Sequence, residues 1–399
     1  MRGRCWGWGM AGVVILLSFG GCVAAPGHRG VLTEEVARRV TVYYATDREA
    51  VSTTPGQVEY GWKRAYLEGE TPYQLGVSRV EIKRRRNHDH EGPLPRMRLE
   101  LVRLLSSTAL DSEGFYDRIR ENMWNASANE TFVFVHGYNT DFEDAVKRTA
   151  ELWYDIGFEG PPIMFSWASR GGSFWRGLFG YFADAETIEW SAGHLKIFLQ
   201  ELVAETSADK LLSDEPARIH LIAHSMGCRA VTRALALIAR DLEEGDRPIF
   251  CDVILAAPDI DRDVLRDVIV PELFAPPVAE HFTLYASSSD VMIGVSEALQ
   301  VYPRAGNADG RAVVLEADEF DTIDASAIHE GQFDLHHDYF VSKPQMIRDL
   351  IEILIRGNRD PSSPGRWMRR RAPGADQPWV LAPRERPLEQ AAVEDAYRE

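Results

Sequence analysis

Five short apolar runs separated by helix-length segments constrain this chain more than any other feature. They are TFVFVH (131–136), PIMFSW (162–167), RIHLIA (218–223), CDVILAA (251–257) and HFTLYAS (281–287). Each is rich in β-branched or aromatic residues and reads as a strand buried on both faces. The segments between them, 141–156, 184–205, 226–240 and 291–300, read as helices. Strand–helix alternation of this kind implies an α/β fold: a mostly parallel central sheet with helices on both faces. Right-handed crossovers then gather the loops at the carboxyl ends of the strands, where such sheets bind ligands. Further strands are expected at 40–46 (VTVYYAT), 77–84, 97–104 and around 313–323, with a last helix at 344–355.

The ends of the chain read differently. Residues 1–22, MRGRCWGWGMAGVVILLSFGGC, have an Arg-led start and an apolar stretch too short to span a bilayer comfortably. The stretch closes on Gly20 and Gly21 before Cys22. It is similar to a bacterial lipoprotein signal, in which Cys22 becomes the lipidated first residue of the mature chain. The alternative is an ordinary export signal cleaved near Ala24 and Ala25. Either way the protein is expected in the bacterial cell envelope, and a lipid would tether it to a membrane without spanning it. Residues 23–39 read as a linker, 40–357 as the folded domain with an N-terminal strand extension, and 358–399 as a loose tail.

Of 399 residues, 45% are hydrophobic and 26% charged, the balance of a globular chain. The net charge of −17 argues against nucleic acid as a partner, because phosphate binding needs an excess of Lys and Arg. Four cysteines give neither a disulfide framework nor a zinc spacing, and Cys228 and Cys251 are expected to be free, buried thiols. His88 and His90 around Asp89 read as a solvated turn, not a metal site. No phosphate loop, nucleotide fingerprint or metal cluster occurs, so no cofactor is implied.

The sharpest local signal is RIHLIAHSMGCRAVTRALALIA (218–239). A strand runs into Ala223-His224-Ser225-Met226-Gly227 and out into a helix, the context of a nucleophile elbow. The bland alternative is a serine N-cap. His224 is expected to be packed, and Cys228 to point into packing. Upstream, a strand ends at His136-Gly137-Tyr138-Asn139, where glycine lets the backbone approach a ligand closely. In elbow hydrolases this loop and the residue after the serine supply the oxyanion-hole N–H groups, here Tyr138 and Met226. His136 is expected to orient that loop by hydrogen bonding. The triad order in such folds is Ser, acid, His. Asp290 follows the strand where the acid usually sits, with Asp259 as runner-up; Asp261 and Asp263 read as helix-start acids. His337, in FDLHHDYF, is the expected base, and its neighbour His336 the competitor.

These motifs together, with YYATDR (43–48), FVHGYN (134–139), FSWAS (165–169), HLIAHSMG (220–227), LAAPDID (255–261), YASSSD (285–290) and HDYF (337–340), resemble a bacterial α/β-hydrolase family, esterase- and lipase-like. The resemblance covers roughly residues 40–355. It implies an α/β-hydrolase fold and places Ser225, Asp290 and His337 in the triad positions. The expected function is an exported serine hydrolase acting on a carboxylic ester, including lipid-like esters. The alternative is a non-catalytic envelope interaction protein on the same scaffold. The aromatic segment 174–182 reads as a loop that either walls the site or packs against the N-terminal strands.

Overall fold

The computed structural model describes residues 35–54, 56–69, 71–85, 102–126, 129–170, 174–211, 213, 215–309, 313, 319–328, 339–370 and 377–381. In chain order the strands are β1 (Glu35–Thr46), β2 (Arg48–Thr54), β3 (Gln57–Arg64), β4 (Gln74–Arg85), β5 (Val102–Leu110), β6 (Glu130–Val135), β7 (Pro162–Ser166), β8 (Arg218–His224), β9 (Phe250–Ala256), β10 (Ala279–Ala286), β11 (Phe320–Asp324), β12 (Met368–Arg370) and β13 (Trp379–Leu381). The longer helices are α1 (Ser112–Asn125), α2 (Phe142–Ile156), α3 (Phe174–Glu205), α4 (Gly227–Ala239), α5 (Val291–Gln300) and α6 (Pro344–Leu354).

Eleven strands form one sheet in the order β12-β13-β11-β10-β9-β8-β6-β7-β1-β4-β5. Neighbours from β13 to β1 pair in parallel; the β12–β13 pair at one edge and the β1–β4 and β4–β5 pairs at the other are antiparallel. The chain leaves β6 for β7, then returns past β6 to β8. Strand order therefore reverses between β6 and β8, the position where a crevice opens at the carboxyl ends of a sheet. Both His136 and Ser225 follow directly on those two strands.

Alternation along the strands fills two layers. Val133, Val135, Leu221 and Ala223 join one core cluster with Phe198 and Leu202 of α3 and Val231 and Leu235 of α4. Phe132, Phe134 and Ile222 join the opposite cluster with Leu152 of α2 and Leu350 and Ile353 of α6. Burial of each such side chain contributes roughly 1.5–3 kcal/mol, before the cost of ordering it. Helix α2 starts where its sequence says it should: Asp141 Oδ1 accepts from the Asp144 N–H at 2.8 Å, and Gly157 ends it in the left-handed conformation.

Several expectations are corrected. The segment at 174–182 is not a loop, because α3 starts at Phe174, ten residues before the expected start. Aromatics and glycines are weak helix formers, so propensity alone disfavours this turn. Tertiary contacts override it: Tyr181 is buried and its hydroxyl donates to Asp259 Oδ2 at 2.6 Å. The side chains of residues 174–179 lie outside those described. The linker is shorter than expected, since β1 begins at Glu35 and pairs along its whole length with β4. The tail is not loose throughout. β13 adds to β11 and β12 to β13, and the buried Arg366 forms a two-point ion pair with Asp349 at 2.8 and 3.0 Å. Three-residue strands leave too little apolar pattern to read. The β2–β3 hairpin and α1 were not foreseen. Phe115, Ile119 and Met123 at helical spacing are the buried signal that marks α1.

Candidate active site

Ser225 has φ of +53°, in the left-handed region that non-glycine residues rarely enter. It is not the N-cap of α4; Met226 holds that position, with no side-chain capping bond. The strain is held by three backbone bonds. Ser225 N–H donates to Ala256 C=O at 2.9 Å, and the Ser225 C=O accepts from Cys228 and Asp259 N–H, each at 3.1 Å. Strained backbone persists only where its surroundings over-determine it, and such residues cluster at functional sites.

Two glycines let the turn close. A Cβ on Gly227 would fall 2.4 Å from the His136 carbonyl oxygen and 2.6 Å from that of Val135. One on Gly137 would fall 2.9 Å from both Ser225 Cβ and His224 Nδ1. The loop after β6 is thus packed backbone-first against the serine turn. Ala223 and Met226 are fully buried beside it.

The loop itself is held from behind. His136 is buried, stacks on Trp167 at 5.3 Å and 11°, and places Nδ1 2.9 Å from the Gly137 carbonyl oxygen. Its Nε2 lies 3.2 Å from Ser166 Oγ and 3.3 Å from an Arg48 Nη2. Burial and the Arg48 cation push its pKa well below the ordinary histidine value, so the ring is neutral. This matches the orienting role expected of it. Arg48 had no assigned role in the sequence; it lies two residues past the end of β1, and its partners here are distant along the chain. Tyr138 is partly buried, edge-on to Tyr181 at 5.6 Å, and burial followed by Asp184 and Tyr181 raises its phenol to about 12.

The two candidate acids differ in their surroundings. Asp290 is buried after β10 and caps α5, its Oδ1 accepting from the Met292 and Ile293 N–H groups at 3.0 and 3.1 Å. Asp259 is committed elsewhere. Its carboxylate accepts from Tyr181, from Ser296 at 2.5 Å and from Arg229 at 3.1 Å, and Arg304 Nε lies 3.3 Å away as a charge without hydrogen-bond geometry. Burial raises its pKa, but Arg229 and Arg304 outweigh that and leave it depressed. Asp261 caps the short helix that follows, with Asp263 in its first turn, as expected.

His224 is buried and stacked on Phe340 at 4.4 Å, a packed ring as expected. Phe340 also stacks on Phe134 at 6.0 Å. His281 pairs with Asp321 at 3.1 Å, on β10. Cys228 and Cys251 are free and buried, and burial raises the Cys228 thiol far from the reactive range. The expected base His337, its competitor His336, Cys22, and the His88–His90 loop lie outside the described residues.

The profile of the family described as "Alpha/beta hydrolase of unknown function (DUF900)" matches residues 112–356. No curated protein matches the chain.

Proposed function

Because the chain belongs to this α/β-hydrolase family of unknown function, we propose that it is a serine esterase whose triad is Ser225, His337 and Asp290. The single observation that carries the reading is the left-handed Ser225 on a strand–turn–helix with Gly137 packed against it. His337 takes the Ser225 proton as Oγ attacks the ester carbonyl. The oxyanion forms against the N–H groups of Tyr138 and Met226. The alcohol leaves with the proton held by His337, and water then repeats the cycle on the acyl-enzyme. Asp290 orients the imidazole and stabilises its cation. Two features support these partners: Asp259 is already bound by two arginines, and Phe340, three residues after His337, stacks beside Ser225 on His224. This chemistry needs no metal or cofactor.

In this reading the protein is exported to the cell envelope and anchored through a lipid on Cys22. A tethered enzyme meets esters at a membrane surface, so lipid-like esters are its proposed substrates. The test is labelling with a fluorophosphonate probe alongside hydrolysis of p-nitrophenyl esters of graded chain length. Wild-type protein should label and turn over; Ser225→Ala should do neither beyond a residual rate. Unlabelled, inactive wild-type protein would favour the non-catalytic envelope role.

A further inference from the structure

Behind the Gly137 turn, a fully buried arginine is held entirely by neutral partners. The Arg48 guanidinium has five N–H donors, and five acceptors meet them. Nε donates to Ser166 Oγ at 2.8 Å, and Nη1 to the carbonyls of Gly61 and Ser169 at 3.1 and 2.9 Å. Nη2 donates to the Thr140 carbonyl at 2.8 Å and faces His136 Nε2 at 3.3 Å. Buried cations are ordinarily paired with a carboxylate. Here Asp47, Asp141 and Asp184 act only through space, and burial lowers the pKa to about 10, still charged at neutral pH.

The polarity of these contacts selects one form of His136. Nη2 can only donate, so His136 Nε2 accepts. The Gly137 carbonyl can only accept, so Nδ1 carries the proton. That carbonyl belongs to the peptide joining Gly137 to Tyr138, which is trans. In a trans peptide the C=O and N–H point in opposite directions within one plane. Holding the Gly137 carbonyl on His136 therefore fixes the direction of the Tyr138 N–H. The flanking carbonyls are pinned too: His136 C=O accepts from Trp167 Nε1 at 2.8 Å, and Thr140 C=O from Arg48.

We infer that Arg48 is a positioning residue of the oxyanion hole, acting through the Nδ1–H tautomer of His136 on the peptide that presents the Tyr138 N–H. This rests on the reading of Tyr138 as an oxyanion donor and adds the group that aims it. Besides Arg48, the charged or titratable groups that act on the ring and its arginine are His224, Asp47, Asp141 and Asp184.

The test combines ring spectroscopy with kinetics. Protein labelled with ¹⁵N-histidine is read by long-range ¹H–¹⁵N NMR between about pH 5.5 and 9, with His136→Gln identifying the signal. In wild type, His136 should stay protonated on Nδ1 alone throughout. In Arg48→Met, Nε2 should take up a proton at higher pH than in wild type, because the cation that opposes it is gone while burial remains. Both Arg48→Met and Arg48→Lys should lower kcat for a short-chain ester about 10²-fold, the scale of losing one oxyanion donor. KM should change by less than about threefold. Lysine keeps the charge but not the five-donor fork, so it should not rescue. A wild-type ring protonated on Nε2, an unchanged ring in Arg48→Met, or full kcat in a folded variant each overturns the inference. If the variants do not fold, the wild-type tautomer decides it. Turnover surviving Ser225→Ala would instead refute the serine mechanism and leave the tautomer measurement standing.

Discussion

The Cβ of Ser225 lies 2.9 Å from where a Cβ on Gly137 would stand. The loop after β6 and the turn after β8 therefore meet at van der Waals contact with no side chain between them. In the proposed mechanism that loop's amides receive the oxyanion formed on a carbonyl attacked by Ser225.

Gly137→Ala should consequently disturb catalysis more than stability. The added methyl must displace the loop or the serine, and overpacking of this kind costs about 1–3 kcal/mol. A displaced donor should lower kcat by about 10²–10³ with KM little changed. Steady-state kinetics with a thermal melt would check it; wild-type kcat in the variant would mean the loop holds no oxyanion.

Asp290→Asn and Asp259→Asn should separate orientation from stability. Asparagine caps helices as well as aspartate does, so the start of α5 should survive in Asp290→Asn. Turnover should fall by about 10⁴, because the imidazole loses the partner that fixes its tautomer. Asp259→Asn should instead leave Arg229 and Arg304 without their buried counter-charge and cost about 3–5 kcal/mol in unfolding free energy. The reverse ranking would move the acid to the loop after β9.

Asp259 also gives stability a pH dependence of known sign. Its folded pKa is depressed below its unfolded value of about 3.9. The stabilisation is present above that unfolded value and lost as pH falls through the folded one. Urea unfolding of wild type below about pH 4 should show stability dropping with acid, with a shallower slope in Asp259→Asn. Asp252 is depressed too, against its burial, by His220 and Arg359, so some slope should remain. Equal slopes in the two proteins would contradict the assignment.

His337→Ala should abolish ester turnover, while His336→Ala should keep most of it. The proposed mechanism gives the base's role to one of the pair alone, because adjacent side chains in extended backbone point to opposite sides. Wild-type kcat/KM should rise with pH through a single histidine titration. Loss of activity in His336→Ala alone would exchange the two roles.

Cys22→Ser should release the protein from membranes or block its processing. Fractionation and mass determination of the mature N-terminus would check this. A soluble wild-type protein beginning beyond Cys22 would rule the anchor out.

The legible part of the fold was that written in contiguous residues. TFVFVH and RIHLIA are apolar runs, and they became β6 and β8 because each buries both faces. Helix α5 began and ended where its pattern did. The hairpin β2–β3 was missed because its residues are largely exposed and offer no apolar run. The site divides in the same way. Ser225 was visible because the strand, turn and helix that define an elbow are consecutive. Arg48 was not, because its partners Ser166, Ser169 and His136 lie 88 to 121 residues away and meet it only after β1 pairs beside β7.

The short strands β12 and β13 add nothing to the chemistry, yet they decide where the chain can be cut. The family match stops at residue 356, and every proposed catalytic residue precedes it. A truncation there would uncover the backbone N–H and C=O groups of β11 that face β13, and leave Asp349 buried without Arg366. An open parallel edge of this kind is a template for another chain. The described residues of 357–381 thus cover the edge of β11, and a chain ended at residue 356 should self-associate more than the full-length protein, which sedimentation of the two would check.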